Sequence, residues 1–117
     1  MGISRAFFFA KFIRNTKQIA KFFEIADTSG TIDSFTASTY PAARYIITAM
    51  HGTDVHTTEI LVHHNGSSAD MTEYGTLYTD GALATYNVEL SLNVVRLKGT
   101  PLNSNTDFNF QVQYVEA

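Results

Sequence analysis

Short segments of strand composition follow one another from residue 27 to the end of the chain, separated by turn-forming residues at roughly ten-residue spacing. β-Branched and aromatic residues are common in the segments, whereas Gly, Pro, Asn, Asp and Ser mark the turns between them. The seven predicted strands are residues 31–37, 43–51, 57–64, 71–79, 82–91, 93–98 and 108–115. Regular short strands of this kind are typical of an antiparallel sandwich. We therefore predict a mainly β fold, a single jelly-roll-like antiparallel β-sandwich of about seven strands.

Apolar and polar residues alternate most clearly in the last predicted strand. Phe108 and Phe110 share one face with Val112 and Tyr114, while the residues between them are Asn or Gln. Because side chains alternate across a strand, the aromatic face is expected to be buried and the amide face exposed. Asn65-Gly66, after a run of strand residues, is the strongest hairpin signal in the sequence.

The composition narrows the possible functions. The chain has 117 residues, the length of one domain, and contains no cysteine. Disulfides, thiolate metal ligands and cysteine nucleophiles are therefore excluded. Charged residues make up 16% of the chain, against roughly 25% in an average soluble domain. Fifteen threonines help to fill that gap, and a charge-poor surface of this kind suits contacts with other proteins.

The first part of the chain is different in character. Residues 3–25 contain neither Pro nor Gly, and their apolar residues recur at helical spacing, with lysines and arginines on the opposite side. We predict an amphipathic helical anchor over residues 1–26, followed by a β-sandwich domain over residues 27–117. The predicted assembly interface on this anchor consists of Phe8, Phe9, Phe12, Ile19, Phe22 and Phe23.

The charge distribution bears on what this anchor contacts. Five of the eight basic residues lie within residues 3–25, opposed only by Glu24, whereas the remainder holds three basic and ten acidic residues. The apolar face of the anchor could make one of four contacts: it could pack on its own sandwich, dock on another protein, lie on a membrane surface, or take part in nucleic-acid binding. The acidic body argues against nucleic acid, and the absence of Trp argues against a membrane surface. Docking on a partner protein or on sister copies is the favoured expectation.

Candidate catalytic and metal-binding residues do not form a recognisable pattern. The sequence holds four histidines, His51, His56, His63 and His64. A metal site needs several of them to converge, but adjacent residues of a strand such as His63 and His64 point to opposite faces. Glu59 and Glu73 would act as a glycosidase pair only if both flanked one cleft. We therefore expect no metal, no cofactor and no enzymatic activity.

Several short segments, taken in their order and spacing, carry a resemblance to a known family. They are Ile32-Asp33-Ser34-Phe35-Thr36-Ala37, Tyr40, Ala43-Arg44-Tyr45, Thr58-Glu59-Ile60-Leu61-Val62-His63, Asn65-Gly66, Thr72-Glu73-Tyr74-Gly75-Thr76, Leu83-Ala84-Thr85-Tyr86, Val95-Arg96-Leu97 and Thr100-Pro101. Over residues 32–115 the chain thereby resembles a β-sandwich module of virion structural proteins in tailed phages, especially those of the cyanophage type.

The resemblance implies a structural role in a phage particle, without enzyme activity or cofactor. It implies a place in capsid decoration, the neck, the tail or a fibre, and a virion location after assembly in the host cytoplasm. The expected partners are other virion structural proteins and further copies of the chain, with neither nucleic acid nor a membrane as a partner. The alternative function is that of a receptor- or carbohydrate-binding appendage module, which would bind through its loops.

Overall fold

The computed structural model describes residues 16–116, which form eight β-strands. The strands are β1 (Thr16–Phe23), β2 (Gly30–Thr36), β3 (Ala42–His51), β4 (Asp54–His64), β5 (Ala69–Tyr78), β6 (Ala84–Ser91), β7 (Val94–Pro101) and β8 (Thr106–Val115). They form a five-stranded sheet in the order β1-β8-β3-β4-β5 and a three-stranded sheet in the order β2-β7-β6. Each pair of neighbouring strands in these sheets is antiparallel.

Strands from the beginning of the described chain pair with strands from its end. Strand β1 pairs with β8, and β2 pairs with β7 in the opposite sheet, as in a jelly roll. The middle of the chain departs from a regular jelly roll, because β3, β4 and β5 stay in one sheet as consecutive hairpins. The result is a sandwich whose larger sheet extends beyond the smaller one.

The core lies between the two sheets and has the composition expected of a sandwich. Its fully buried members include Tyr45, Ile47, Ile60 and Val62 from the larger sheet, facing Ile32, Val95 and Leu97 from the smaller one. Strand β8 contributes its aromatic face, as its alternation predicts, because every second residue from Thr106 to Tyr114 is buried and the residues between them are exposed. The predicted mainly β, two-sheet antiparallel fold is therefore confirmed, with β2 to β8 corresponding to the seven predicted strands.

Strand β1 lies where the second half of the anchor helix is predicted. Thr16–Phe23 pairs along its whole length with β8, so the helix prediction is wrong for these residues. The physical reason is that the outer edge of β8 offers a row of backbone groups that need partners, which a strand satisfies and a helix does not. Residues 1–15 of the predicted anchor lie outside the described residues. No helix among the described residues is long and apolar enough to cross a membrane.

Two hairpin turns show how the sequence sets the strand register. Between β4 and β5 the predicted Asn65-Gly66 turn is present, and the Asn65 side-chain oxygen accepts the backbone N–H groups of Ser67 and Ser68, both at 2.9 Å. Between β6 and β7, Leu92 and Asn93 form a two-residue loop with positive φ angles of 51° and 64°. Two consecutive positive φ angles are the signature of a type I′ turn, which prefers Asn or Gly at its first position.

Leu92 is therefore strained, and its replacement should stabilise the protein. The side chain is 92% exposed, so no burial is lost when it is shortened. We expect Leu92→Asn to raise the free energy of unfolding by about 1 kcal/mol, because Asn tolerates the left-handed backbone better than Leu. Urea unfolding measures this change. Leu77→Asn is the control, since Leu77 is 71% exposed and has no positive φ; an equal gain there would show that strain is not the cause.

Candidate functional site

A carboxylate is buried between the two sheets. Asp33 on β2 is only 5% exposed, and its Oδ2 accepts hydrogen bonds from the hydroxyl groups of Tyr45 on β3 and Tyr114 on β8, each at 2.8 Å. Because the acceptor belongs to one sheet and both donors belong to the other, these hydrogen bonds join the two halves of the sandwich. Hydrogen bonds to a charged group are among the stronger ones in proteins.

Asp33 lies beside a β-bulge in β2. The register pairs Thr31 with Lys98 and Asp33 with the adjacent Leu97, so Ile32 is an extra residue in β2. Both Ile32 and Asp33 are consequently buried, although successive residues of a regular strand face opposite sides. Asp33 alternates regularly with Phe35, so the bulge adds Ile32 to the inner face directly beside the buried carboxylate.

The tyrosines around Asp33 are held in their protonated form. Burial, together with the charge and hydrogen bond of Asp33, raises the pKa of Tyr45 and of Tyr114 well above the usual value for a phenol. Both hydroxyls therefore donate to the carboxylate throughout the physiological pH range. This arrangement links the sheets, and it leaves neither hydroxyl available as a solvent-exposed nucleophile.

A buried histidine lies in the same sandwich, near the connection between β5 and β6. His56 is 1% exposed, and its Nδ1 accepts the backbone N–H of Leu83 at 3.1 Å. Its ring packs against Tyr78 and Tyr86 with centroid distances of 4.7 and 6.3 Å. Because Nδ1 is an acceptor, the neutral ring carries its proton on Nε2. Burial lowers the pKa of His56, and the negative charge of Glu73 partly opposes that shift.

The buried His56 predicts a pH-dependent stability. The unfolded chain binds a proton on this ring near the ordinary pKa of about 6.5, whereas the folded protein binds it only at lower pH. The free energy of unfolding should therefore fall as the pH drops below about 6.5, and level off once the folded protein is also protonated. Urea titrations between about pH 8 and about pH 5 measure the slope. We expect His56→Asn to flatten this slope; a variant with the slope of the wild type would contradict the assignment.

His63 and His64 have separate partners and do not form a shared site. His64 accepts the Gly66 N–H on Nδ1 at 2.9 Å, and its Nε2 lies 2.7 Å from the Tyr40 carbonyl oxygen. His63, on the opposite face, lies 3.6 Å from Asp70 in an exposed pair. Within residues 16–116, no group of three or more His, Cys, Asp and Glu residues is arranged to hold a metal ion.

The two carboxylates that suggested a glycosidase pair are on opposite faces of one sheet. The register of β4 with β5 pairs Glu59 with Tyr74 and Ile60 with Glu73. Paired residues share a face, and Ile60 is fully buried, so Glu73 belongs to the inner face of the sheet and Glu59 to the outer face. The two groups cannot flank one glycosidic bond, which removes the catalytic arrangement that the sequence left open.

The outer face of the five-stranded sheet is broad and mixed in character. Apolar Ile46, Leu61, Tyr74 and Val115 are 41%, 44%, 39% and 48% exposed. Threonines and amide side chains of β3, β4, β5 and β8 lie between them. A shallow groove of about 450 Å³ lies at one end of strands β3, β4 and β5, lined by Ala42, Leu61, His63, Asp70, Met71 and Thr72. Such a surface suits contact with another macromolecule better than enclosure of a small substrate.

Three of the six predicted anchor residues lie among the described residues. Phe8, Phe9 and Phe12 lie outside the described residues, and Ile19 and Phe22 lie on the backbone of β1. Phe23 is half-buried, and its ring packs against Phe108 in the core at a centroid distance of 5.0 Å. The sequence analysis did not find the Asp33 and His56 clusters, although two tyrosines at core positions of β3 and β8 were an available signal for the first.

The fold has counterparts among solved structures. The tailspike protein of Acinetobacter phage vB_ApiP_P1 matches with a TM-score of 0.58 and 18% identity, covering 87% of this chain and 21% of the tailspike chain. The tailspike protein of Acinetobacter baumannii phage AM24 matches with a TM-score of 0.56 and 8% identity, covering 87% of this chain and 26% of the tailspike chain. No known family model matches this sequence, and no curated protein matches it.

These likenesses concern the fold, because both identities are low. This chain spans about a fifth to a quarter of the length of the tailspike chains it matches. Both neighbours are phage proteins, in keeping with the phage part of the sequence resemblance, and neither is described as a cyanophage protein.

Proposed function

We propose that this chain is a structural module of a tailed-phage tail appendage, a spike or fibre, and that it functions by assembling with other virion proteins. The observation that supports this most directly is that two phage tailspike proteins contain a region with the same fold over 87% of this chain. The sequence resemblance to virion structural proteins supports the same particle independently. We propose a tail or fibre position ahead of capsid decoration or the neck, because both neighbours are tailspikes.

The proposed role requires no catalytic residue in this chain. The separation of Glu59 from Glu73 onto opposite faces supports a non-enzymatic function, as does the use of the Asp33 carboxylate to join the sheets. The proposed partners are virion structural proteins and further copies of the chain, with no cofactor, nucleic acid or membrane involved, and the proposed location is the virion after assembly in the host cytoplasm.

We propose that the residues before β1 anchor the module. Phe8, Phe9 and Phe12 lie within a basic, apolar stretch, and burying side chains of this kind stabilises an interface by about 1.5–3 kcal/mol each. Ile19 and Phe22, on β1, continue the proposed anchor. Phe23 contributes differently, because its ring already packs on Phe108 within the sandwich.

The anchor is tested by incorporation into particles. Tagged protein is supplied during infection, and particles are then purified on a density gradient. We expect the tagged wild type to band with the particles, and Phe8→Asp combined with Phe12→Asp to reduce incorporation by roughly tenfold or more, since each anchor residue of an interface typically contributes more than 1 kcal/mol.

The matched control is Ile25→Asp, the same kind of change at a side chain that is 66% exposed. Equal incorporation of the control and the double variant would contradict the anchor. Thermal unfolding of each purified protein separates a failure of assembly from a failure of folding. A tagged wild type that never bands with particles would contradict the proposed function as a whole.

A second candidate function is binding of a host-surface carbohydrate. The groove on the outer face favours it, because Leu61 offers an apolar floor while His63, Asp70 and Thr72 offer polar groups beside it. A glycan array with wild type and with Leu61→Asp separates the two functions. Binding that the substitution removes would support the carbohydrate function, and no binding by the wild type would leave assembly as the better account.

A further inference from the structure

The turn between β4 and β5 brings two reactive groups together at Asn65 and Gly66. The backbone nitrogen of Gly66 and the side-chain amide carbon of Asn65, Cγ, can close a five-membered ring, and such closeness makes an intramolecular reaction far easier than its intermolecular counterpart. Gly has no side chain, so its nitrogen is unhindered. Both residues are exposed to solvent, and water can therefore reach the products of a reaction between them.

A histidine lies against the nitrogen of this pair. The Nδ1 atom of His64 accepts the Gly66 N–H at 2.9 Å, within the distance of about 2.6–3.2 Å that a general base needs to remove a proton. Because a backbone N–H can only donate, Nδ1 carries no proton, and the neutral ring holds its proton on Nε2. Nε2–H donates to the Tyr40 carbonyl oxygen at 2.7 Å. That hydrogen bond orients the ring, as the third group of a catalytic triad orients its base.

The side-chain amide of Asn65 is polarised by two backbone donors. The N–H groups of Ser67 and Ser68 both donate to Asn65 Oδ1 at 2.9 Å. Since both partners are donors, the atom that they contact is the amide oxygen and not the amide nitrogen. Negative charge develops on this oxygen when a nucleophile adds to Cγ, and paired N–H donors at about 2.7–3.1 Å stabilise such a charge. The turn therefore holds a nucleophile, a base and an oxyanion hole.

We propose that this turn is an autocatalytic deamidation site, at which His64 promotes the attack of the Gly66 nitrogen on Cγ of Asn65. His64 Nδ1 removes the proton from the Gly66 nitrogen as that nitrogen bonds to Cγ. The Ser67 and Ser68 N–H groups stabilise the oxyanion that results. The bond between Cγ and the side-chain amide nitrogen then breaks, that nitrogen takes up the proton from His64, and ammonia leaves. A succinimide ring remains, and His64 is again neutral.

Water then opens the succinimide ring at one of its two carbonyl carbons. Attack on the former side-chain carbon leaves an aspartate at position 65. Attack on the main-chain carbon leaves an isoaspartate, whose backbone runs through the side chain and is one atom longer. The overall reaction consumes one water, releases one ammonia and needs no oxidant or cofactor. Either product adds a negative charge to the turn, and the isoaspartate also lengthens the connection that sets the register of β4 with β5.

The test compares the folded and the unfolded chain after incubation at neutral pH. Peptide mapping by mass spectrometry measures the conversion of Asn65 to aspartate and isoaspartate, and heavy-oxygen water labels the products. We expect the folded wild type to convert Asn65 roughly tenfold or more faster than the same protein in urea, because only the folded turn positions the base and the two donors. His64→Gln should lose most of this acceleration, since it removes the base.

The matched control is His63→Gln, the same change at the neighbouring histidine, which lies on the opposite face of the sheet beside Asp70. This variant should convert Asn65 at the wild-type rate. Thermal unfolding shows whether each variant is folded. If His64→Gln does not fold, the comparison of folded with unfolded wild type still decides the outcome, because it requires no substitution.

A folded wild type that converts Asn65 no faster than the unfolded chain would overturn the proposal. Equal rates in the wild type and in a folded His64→Gln protein would do the same. Cleavage of the chain after Asn65, in place of isoaspartate formation, would also count against it, because the side-chain nitrogen and not the Gly66 nitrogen is then the nucleophile.

Discussion

Asp33→Ala should be among the most destabilising substitutions in this protein. The change leaves the hydroxyls of Tyr45 and Tyr114 buried without the acceptor that they share. Removing the acceptor of a buried hydroxyl destabilises by about 1–3 kcal/mol for each hydrogen bond lost, so we expect a total loss of about 2–6 kcal/mol for these two bonds. Small domains are stable by only about 5–15 kcal/mol, so this loss is a large fraction of the whole. Urea unfolding followed by tyrosine fluorescence measures it.

A double-mutant cycle separates the hydrogen bonds from simple loss of volume. Tyr45→Phe alone should destabilise, because the buried carboxylate then loses a donor. Tyr45→Phe added to Asp33→Ala should have a smaller effect than it has alone, since the bond is already absent. Asp107→Ala, at an exposed aspartate on β8, is the control and should change stability little. Additive effects of Asp33→Ala and Tyr45→Phe would contradict a shared hydrogen bond.

Phe108→Ala should have an effect of comparable size through packing alone. Phe108 is fully buried, and its ring contacts Phe23 from β1 at 5.0 Å and Tyr86 from β6 at 6.1 Å. Replacing a buried Phe by Ala destabilises by about 3–5 kcal/mol, through the lost transfer free energy and the cavity that remains. Because Phe108 contacts Phe23 on β1 of its own sheet, amide exchange should accelerate in β1 as well as in β8.

Denaturant unfolding and hydrogen exchange together test this expectation. Gln111→Ala, at an exposed position of the same strand, is the control and should alter neither stability nor exchange in β1. A Phe108→Ala protein that unfolds at the wild-type urea concentration would show that this contact does not support the core. Faster exchange in β8 with unchanged exchange in β1 would show that β1 packs independently of Phe108.

The strands could be predicted because their alternation and turn chemistry agree. In β8 each inward residue is apolar or Thr, and the exposed residues between them are polar except Val115, so local pattern and tertiary burial give the same answer. The Asn65-Gly66 turn was predictable for a similar reason, since Gly66 adopts a positive φ of 92° that few other residues accept.

Strand β1 was not predictable, because its sequence fits two structures. Ile19, Phe22 and Phe23 follow the i, i+3, i+4 spacing of a helix, but Thr, Ile and Phe are also good strand formers. The deciding factor is the unpaired edge of β8, which lies some ninety residues away in the sequence. Local periodicity carries no information about a partner at that distance.

The buried polar groups were missed for related reasons. Ile32 and Asp33 are both buried because a bulge at Ile32 interrupts the alternation of β2, and the sequence pattern alone does not show which of two successive residues then faces inward. His56 lies just before the predicted strand 57–64, where no burial is expected, but Leu83, Tyr78 and Tyr86 surround it in the structure. The separation of Glu59 from Glu73 likewise depends on the register of β4 with β5, which the sequence does not specify.

The central claim is that this chain is a component of a phage particle, and quantitative mass spectrometry of gradient-purified particles tests it most directly. Particles from an infected culture that produces the chain are treated with nuclease and detergent, washed, and digested for peptide counting. The account predicts this chain at a fixed ratio to the major capsid protein, unchanged by either treatment. A chain that is abundant in the lysate and absent from the washed particles would contradict it.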